Sequence, residues 1–245
     1  MPNTKSISFQ RFSGRYNSLQ QHSQVINVSL NKLYNRLQPS RKNGKTITDT
    51  LRLSADKYPK LNIPSTEYAR VINFSKSENN DYCFLELYNL FSYYMRDILK
   101  EMYQLRPKSI TEKCNKTLTY SKLTEFSSID ELVDYMIDDI FKDLEALRST
   151  AKLVKRIVGH TKIQIPQALS DEALMYLNIR HLIIHNNSKV DKEFFEKYKN
   201  KLQISLNGKV PTDFQNFQKA LQAIYNYIKE IDQQLILKHF INARV

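Results

Sequence analysis

The chain has 245 residues, a 41% hydrophobic content, four Gly, no Trp and a formal net charge of +12. That length is enough to bury a core without disulfide staples, and so little Gly disfavours turn-dense all-β folds and Gly-rich phosphate loops; no G-x-G-x-x-G or Walker-type run occurs. Residues 1–70 hold twelve Lys and Arg against three Asp and Glu, a net of +9, so the other 175 residues carry +3.

A first amphipathic helix is predicted from about Asn17 to Leu37, with Leu19, Val25, Ile26, Leu30 and Leu33 as its apolar members. Pro39 and Gly44 in "QPSRKNGKT" interrupt it. The stretch to about Asn80 is mixed, and "SKSENND" reads as a loop. Residues 1–74 are therefore taken as a basic, mainly helical N-terminal extension, and 75–245 as a helical bundle. A basic arm attracts polyanions, nucleic acid being the usual one, although a solubilising surface has the same composition.

From Asp81 to Met102, Phe84, Leu87, Phe91, Tyr94, Ile98 and Met102 recur every three or four residues, a long amphipathic helix that Pro107 stops. The next helix, over 128–158, starts at a capping box of Ser128 and Glu131 and ends before Gly159. Its expected buried stripe is Leu132, Met136, Ile140, Leu144, Leu147, Ala151 and Val154. Asp134, Asp138, Asp139 and Asp143 invite a metal reading, but charge on an outer helix face is far commoner. A third helix follows Ser170, its expected cap, and runs to about His185. "DKEFFEKYK" adds a short helix, and "LQISLNGKV" reads as a small β-hairpin turning at Asn207-Gly208. The last helix, Phe214 to Leu237, buries Phe217, Leu221, Ile224, Ile228, Ile231 and Leu235. The fold class is all-α, a bundle with one small hairpin in its C-terminal part.

Cys83 and Cys114 have no Cys or His at a metal-ligand spacing and form no disulfide framework. The first eighteen residues lack the apolar h-region of a secretory signal, and no apolar run approaches the roughly 18 residues of a membrane span. The expectation is a cytoplasmic protein that needs no membrane, metal or cofactor.

The third helix carries the chemistry. Leu174, Met175, Tyr176, Leu177, Ile179, Leu182, Ile183 and Ile184 spread around almost its whole circumference, as in a buried helix. Asn178, His181 and His185 share a sector of roughly 60°, one narrow polar stripe. Arg180 lies about 140° from His185 and reaches the same place only by its length or if the helix loosens. Asn186 and Asn187 favour termination there, since Asn tolerates the left-handed conformation. An imidazole moves protons near neutral pH, and a guanidinium forks onto phosphate oxygens and holds growing negative charge. Together they suit phosphoryl transfer without a metal. His181 and His185 at i, i+4 could instead ligate zinc, but no H-E-x-x-H glutamate and no third ligand accompany them. A pair of satisfied core histidines at a helix C-terminus, or an arginine paired with a carboxylate elsewhere, is the ordinary alternative.

The run "RHLIIHN" followed by "VDKEFFEKY" resembles the signature of the HEPN superfamily of all-α domains, many of them metal-independent ribonucleases with an R-x4–6-H motif ending a core helix. Arg180, His181, His185 and Asn186 match its arginine, the polar residue after it, its histidine and the Asn that follows. The resemblance covers roughly 75–240. Arg15 and His22 satisfy the bare spacing too, but in a polar stretch without that context. What the resemblance implies is an RNA endonuclease leaving 2′,3′-cyclic phosphate and 5′-hydroxyl ends. His185 would act on the 2′-hydroxyl or the leaving oxygen, and Arg180 on the phosphorane. His181 would position the substrate, and Asn186 would cap the helix or orient His185, with Asn178 supporting. It also implies a homodimer with a composite cleft, a role as toxin or antiviral defence effector, and a separate antitoxin or regulatory chain. The alternative within the family is a catalytically silent nucleic-acid-binding or assembly module. A DNA-binding regulator would need a helix-turn-helix pair, which residues 1–70 lack.

Overall fold

Between Pro64 and Pro107 the sequence has neither Gly nor Pro, and nothing in it stops a helix. In the computed structural model that stretch is the longest element. The structure describes residues 5–39, 44–106, 117–146, 154–155, 159 and 161–244, with the backbone alone at 141 and 143–146. Its helices are α1 (Ile7–Leu37), α2 (Ile47–Leu51), α3 (Tyr68–Leu105), α4 (Tyr120–Leu123), α5 (Ile129–Ala146), α6 (Gln167–His185), α7 (Lys192–Tyr198) and α8 (Phe214–Leu237). The all-α class holds, and among the described residues no helix is long and apolar enough to cross a membrane. Pro107, Cys114, Leu147 and Ala151, and the side chains of Asp143 and Leu144, lie outside what is described.

α3 begins thirteen residues before the expected Asp81 and absorbs "SKSENND". That run is helical because its polar side chains face solvent and α1: Lys76 Nζ donates to Asn31 Oδ1 at 2.7 Å, and His22 Nε2 lies 3.2 Å from Asn79 Oδ1. All six apolar residues expected to line α3 are buried, as are all six on α8. α1 also starts earlier than predicted, at Ile7. Its first half sends Phe9, Phe12, Tyr16 and Leu19 into the main core, where Phe12 meets Tyr94 edge-on and Tyr16 meets Tyr225. Val25, assigned to the apolar face, is instead exposed. At the far end of the α1–α3 pair, Leu37, Ile47, Tyr68 and Ile72 form a small second core.

Several expectations need correction. In α5 the buried residues are Val133, Ile137 and Ile140, joined by Val154; Leu132 and Met136 are only half-buried. The cap is also split: Ser128 Oγ accepts from Glu131 N–H at 3.2 Å, but the Glu131 carboxylate reaches Ser127, accepting from its N–H at 2.8 Å. Gly159 is itself helical. α6 begins at Gln167, one turn before the expected start, and Ser170 caps nothing; its hydroxyl hydrogen-bonds the buried Tyr227 phenol. The hairpin over 202–210 does not form. Asn207 does turn (φ 62°), but residues 207–210 pair with 188–190, through Val190 N–H to Gly208 O and Val210 N–H to Ser188 O. The pairing amounts to one bridge, Lys189 to Lys209.

Two carboxylates, one buried and one half-buried, tie distant segments together. Asp232 on α8, 1% exposed, accepts from Ser6 N–H at 3.1 Å, from the Ser6 hydroxyl, and from Tyr94 Oη at 3.2 Å. Ser6 also caps α1 by accepting from Phe9 N–H. Burial pushes the Asp232 carboxyl up to about 6, against the pull of these hydrogen bonds. Asp81 on α3 accepts from Ser188 Oγ at 2.7 Å and Thr212 Oγ1 at 2.5 Å, fastening the turn that follows α6.

Candidate functional site

α6 packs against α3 and α8, and Ala173, Met175, Tyr176, Leu177, Ile179 and Leu182 are buried along it. Its last turn leaves the core. Ile184 is 47% exposed, His185 is exposed and His181 half-buried. The helix expected to be buried all round is so only in its middle, and the histidines are not core residues. The reason is the end of the helix itself. Asn187 and Ser188 take left-handed backbone conformations (φ 51° and 58°), Ser188 N–H returns to Leu182 O at 3.0 Å, and the chain then turns away to α7. Termination at the Asn pair is as the sequence predicts.

The His181 and His185 rings lie 4.8 Å apart between centroids, tilted by 46°. Arg180 projects to another side, its guanidinium 5.1 Å above the Tyr88 ring of α3. Among the described residues no carboxylate lies within ion-pair distance of Arg180, so its positive charge is held on an aromatic face and not neutralised. Asn178 is drawn off the stripe, donating from Nδ2 to Tyr198 Oη at 2.8 Å and so fixing α7 to α6. Asn186 donates from Nδ2 to Lys189 O at 2.7 Å and closes the terminal turn. The structure thus brings the two histidines into ring contact, places Arg180 on the flank of α3, and gives both asparagines bonds within the scaffold.

The aspartates of α5 do not join this group. Asp134 and Asp138 pair with Lys100 and Arg96 across the α3–α5 interface, at 2.5 Å for Asp134. Glu86 lies two residues before Tyr88, about 200° around α3, and faces α1 on the opposite side. There it lines an open groove of about 1130 Å³ with Arg15, His22, Tyr82, Tyr93 and Arg96. The second R-x6-H match, Arg15 and His22, therefore has a setting of its own. Sequence reasoning missed Tyr88, whose signal was available: it lies on the strongest apolar stripe of the chain, between Phe84 and Phe91. It also missed Asp81 and Asp232, for which no local signal exists.

Two adjacent imidazoles at a solvent-facing helix end can exchange protons with a bound hydroxyl or leaving oxygen. A guanidinium one turn earlier, with no carboxylate partner among the described residues, can hold a phosphate. No protein-family model, no curated protein and no solved structure matches the chain.

Proposed function

We propose that the protein is a metal-independent endoribonuclease of the HEPN type whose reacting groups are Arg180 and His185, with His181 in support. The observation that carries this reading is the ring contact of His181 and His185 at the exposed end of α6, next to an arginine held over the Tyr88 ring with no carboxylate partner among the described residues. The ribose 2′-oxygen attacks phosphorus as its proton passes to an imidazole. The P–O5′ bond breaks, and the departing O5′ takes a proton, leaving a 2′,3′-cyclic phosphate and a 5′-hydroxyl. His185 is the proton carrier and Arg180 balances charge on the phosphorane. His181, half-buried and in contact with His185, positions it.

Within one chain Arg180 and His185 lie on sides of α6 about 140° apart. A homodimer in which two α6 ends face each other supplies the missing convergence, each copy lending its arginine to the other's histidine. The half-exposed Ile184 between them is an apolar side chain for a second copy to cover. In this reading the protein is a toxin or defence effector, held in check by a separate chain.

The 140° separation also favours one other reading, a silent module in which α6 serves binding or assembly. The test is incubation of the wild type and His185→Ala with 5′-labelled RNA in EDTA, with the product ends mapped. Cleavage to cyclic phosphate ends in the wild type, lost in the variant while fold and oligomeric state persist, supports the nuclease. Cleavage retained by His185→Ala, or ended by EDTA alone, rejects it.

A further inference from the structure

We infer that the groove between α1 and α3 is a binding site for single-stranded RNA, laid lengthwise with its phosphates on the arginines and its bases against Tyr82 and Tyr93. The inference deepens the ribonuclease reading and rests on it only for the strand being RNA. The groove is long. Its α1 side runs from Gln10 to His22 and its α3 side from Tyr82 to Asp97, roughly 18 and 22 Å at 1.5 Å per residue. Tyr82 and Tyr93, 52% and 45% exposed, are eleven residues apart on one face of α3, about 16 Å. That is too far to clamp a single ring and suited to successive units of an oligomer.

Charge on α1 favours an anion. Across Ile7–Leu37 the helix holds four cationic side chains and no carboxylate, and two of them, Arg11 and Arg15, line the groove. Arg15 places its guanidinium 5.3 Å above the Tyr93 ring, a combined cationic and aromatic platform. Arg11 is only loosely paired, 4.0 Å from Asp97. Glu86 and Asp97 also line the groove; they disfavour a duplex, which presents phosphate on every side, and suit a single strand whose base amines can donate to a carboxylate.

Gly14 is the independent observation. It sits mid-helix, where Gly costs about 1 kcal/mol relative to Ala, and a Cβ there would meet no heavy atom within 4 Å. Helix packing therefore does not require it. It faces the groove between Arg11 and Ser18, where the missing side chain lets a ligand approach the backbone.

The experiment is fluorescence anisotropy of the full chain with a 12-nucleotide 2′-O-methyl RNA, which has no 2′-hydroxyl to attack. Binding is thereby read apart from cleavage. The expected result is binding by the wild type with a slope of log K against log salt of about −1.4, for two arginine–phosphate contacts, those of Arg11 and Arg15. Gly14→Leu, which has room and raises helix propensity, should weaken binding at least about tenfold with no loss of thermal stability. Tyr82→Ala and Tyr93→Ala should each weaken it about fivefold or more, and Arg15→Ala similarly. No binding by the wild type, or wild-type affinity in both Gly14→Leu and Arg15→Ala, overturns the proposal. So does equal competition by a poly-glutamate peptide with no effect of the tyrosine variants, which would make the groove a site for acidic protein segments. Absence of cleavage on ordinary RNA with the binding pattern intact would reject the α6 assignment alone.

Discussion

Arg180 and Arg15 lie on opposite flanks of α3, each with its guanidinium about 5 Å from a tyrosine ring, Tyr88 on one side and Tyr93 on the other. Each is followed by a histidine at R-x4–6-H spacing, His185 or His22. What differs is the company of the histidine. His185 is in ring contact with His181 at a helix end, whereas His22 lies mid-helix against Asn79 and edge-on to Tyr82. Two imidazoles in contact can divide the taking and giving of a proton; one imidazole bound to an amide in a long groove is better placed to hold a ligand. The spacing marks both places alike, and the neighbours supplied by other helices separate chemistry from binding.

The largest expected effect falls on α6. His185→Ala should lower RNA cleavage by about 10²–10⁴-fold, the usual weight of a general acid or base, with circular dichroism unchanged. An equal loss from Arg15→Ala measured at saturating RNA would break the comparison, because it would place chemistry in the groove.

Next are the carboxylates that hold each region in place. Asp232→Ala leaves Ser6 N–H, the Ser6 hydroxyl and the Tyr94 hydroxyl without an acceptor where α1 begins. It should cost roughly 2–4 kcal/mol in denaturant unfolding. Asp81→Ala, at the turn after α6, strands two hydroxyls in a partly buried site and should cost less, about 1–2 kcal/mol. Its cleavage defect should exceed its binding defect, since the turn it fastens ends the α6 site.

Asp232 also gives the comparison a pH dependence. Its carboxyl titrates at about 6 in the folded protein against 3.8 for the ordinary group, so between those values the folded state binds more protons than the unfolded. Its contribution to stability is then greatest below about pH 4 and declines as pH rises to about 6. Subtracting the stability of Asp232→Asn from that of the wild type across pH 3–8 should show this fall and a plateau on either side. A flat difference would mean that the Asp232 carboxyl titrates alike in the folded and unfolded states.

The smallest effect is expected at Tyr88. Replacing it with Leu removes the aromatic face beneath Arg180, a contact of about 0.5–1 kcal/mol at a partly exposed site. Cleavage should fall roughly two- to fivefold, and RNA binding in the groove should not change. A larger loss would mean that Tyr88 fixes the position of Arg180 as well as stabilising its charge.

Much of this was legible along the chain. The stripes of α3 and α8 were read correctly because each helix buries one continuous face, and the 3.6-residue period records that burial directly. The end of α6 at Asn186-Asn187 and the start of α7 at Asp191 were equally local, set by backbone tolerance and capping. The histidine and arginine were found by spacing, and their position at a helix end followed. The errors have physical causes too. "SKSENND" reads as a loop because its polar composition resembles one, although no breaker lies within it. α1 was begun too late because its first half is anchored by long-range partners, Asp232 and Tyr225, that no local pattern reveals. The hairpin was misplaced because the Asn207-Gly208 turn is local but its pairing partner, 188–190, is not.

What the sequence by itself determined is the helical class, the faces of its longest helices and a cluster of Arg180, His181 and His185 within two turns of one helix. Those are properties of neighbours three or four residues apart, which a periodic backbone places in register regardless of the rest of the molecule. What only the tertiary structure decided is the setting of each group. It raised His185 to the surface, laid Arg180 on Tyr88, turned Glu86 to the far side of α3, and opened beside Gly14 a groove that spacing cannot reveal. These depend on which helices meet, and that is fixed by packing and buried polar bonds between residues as far apart in the chain as Ser6 and Asp232.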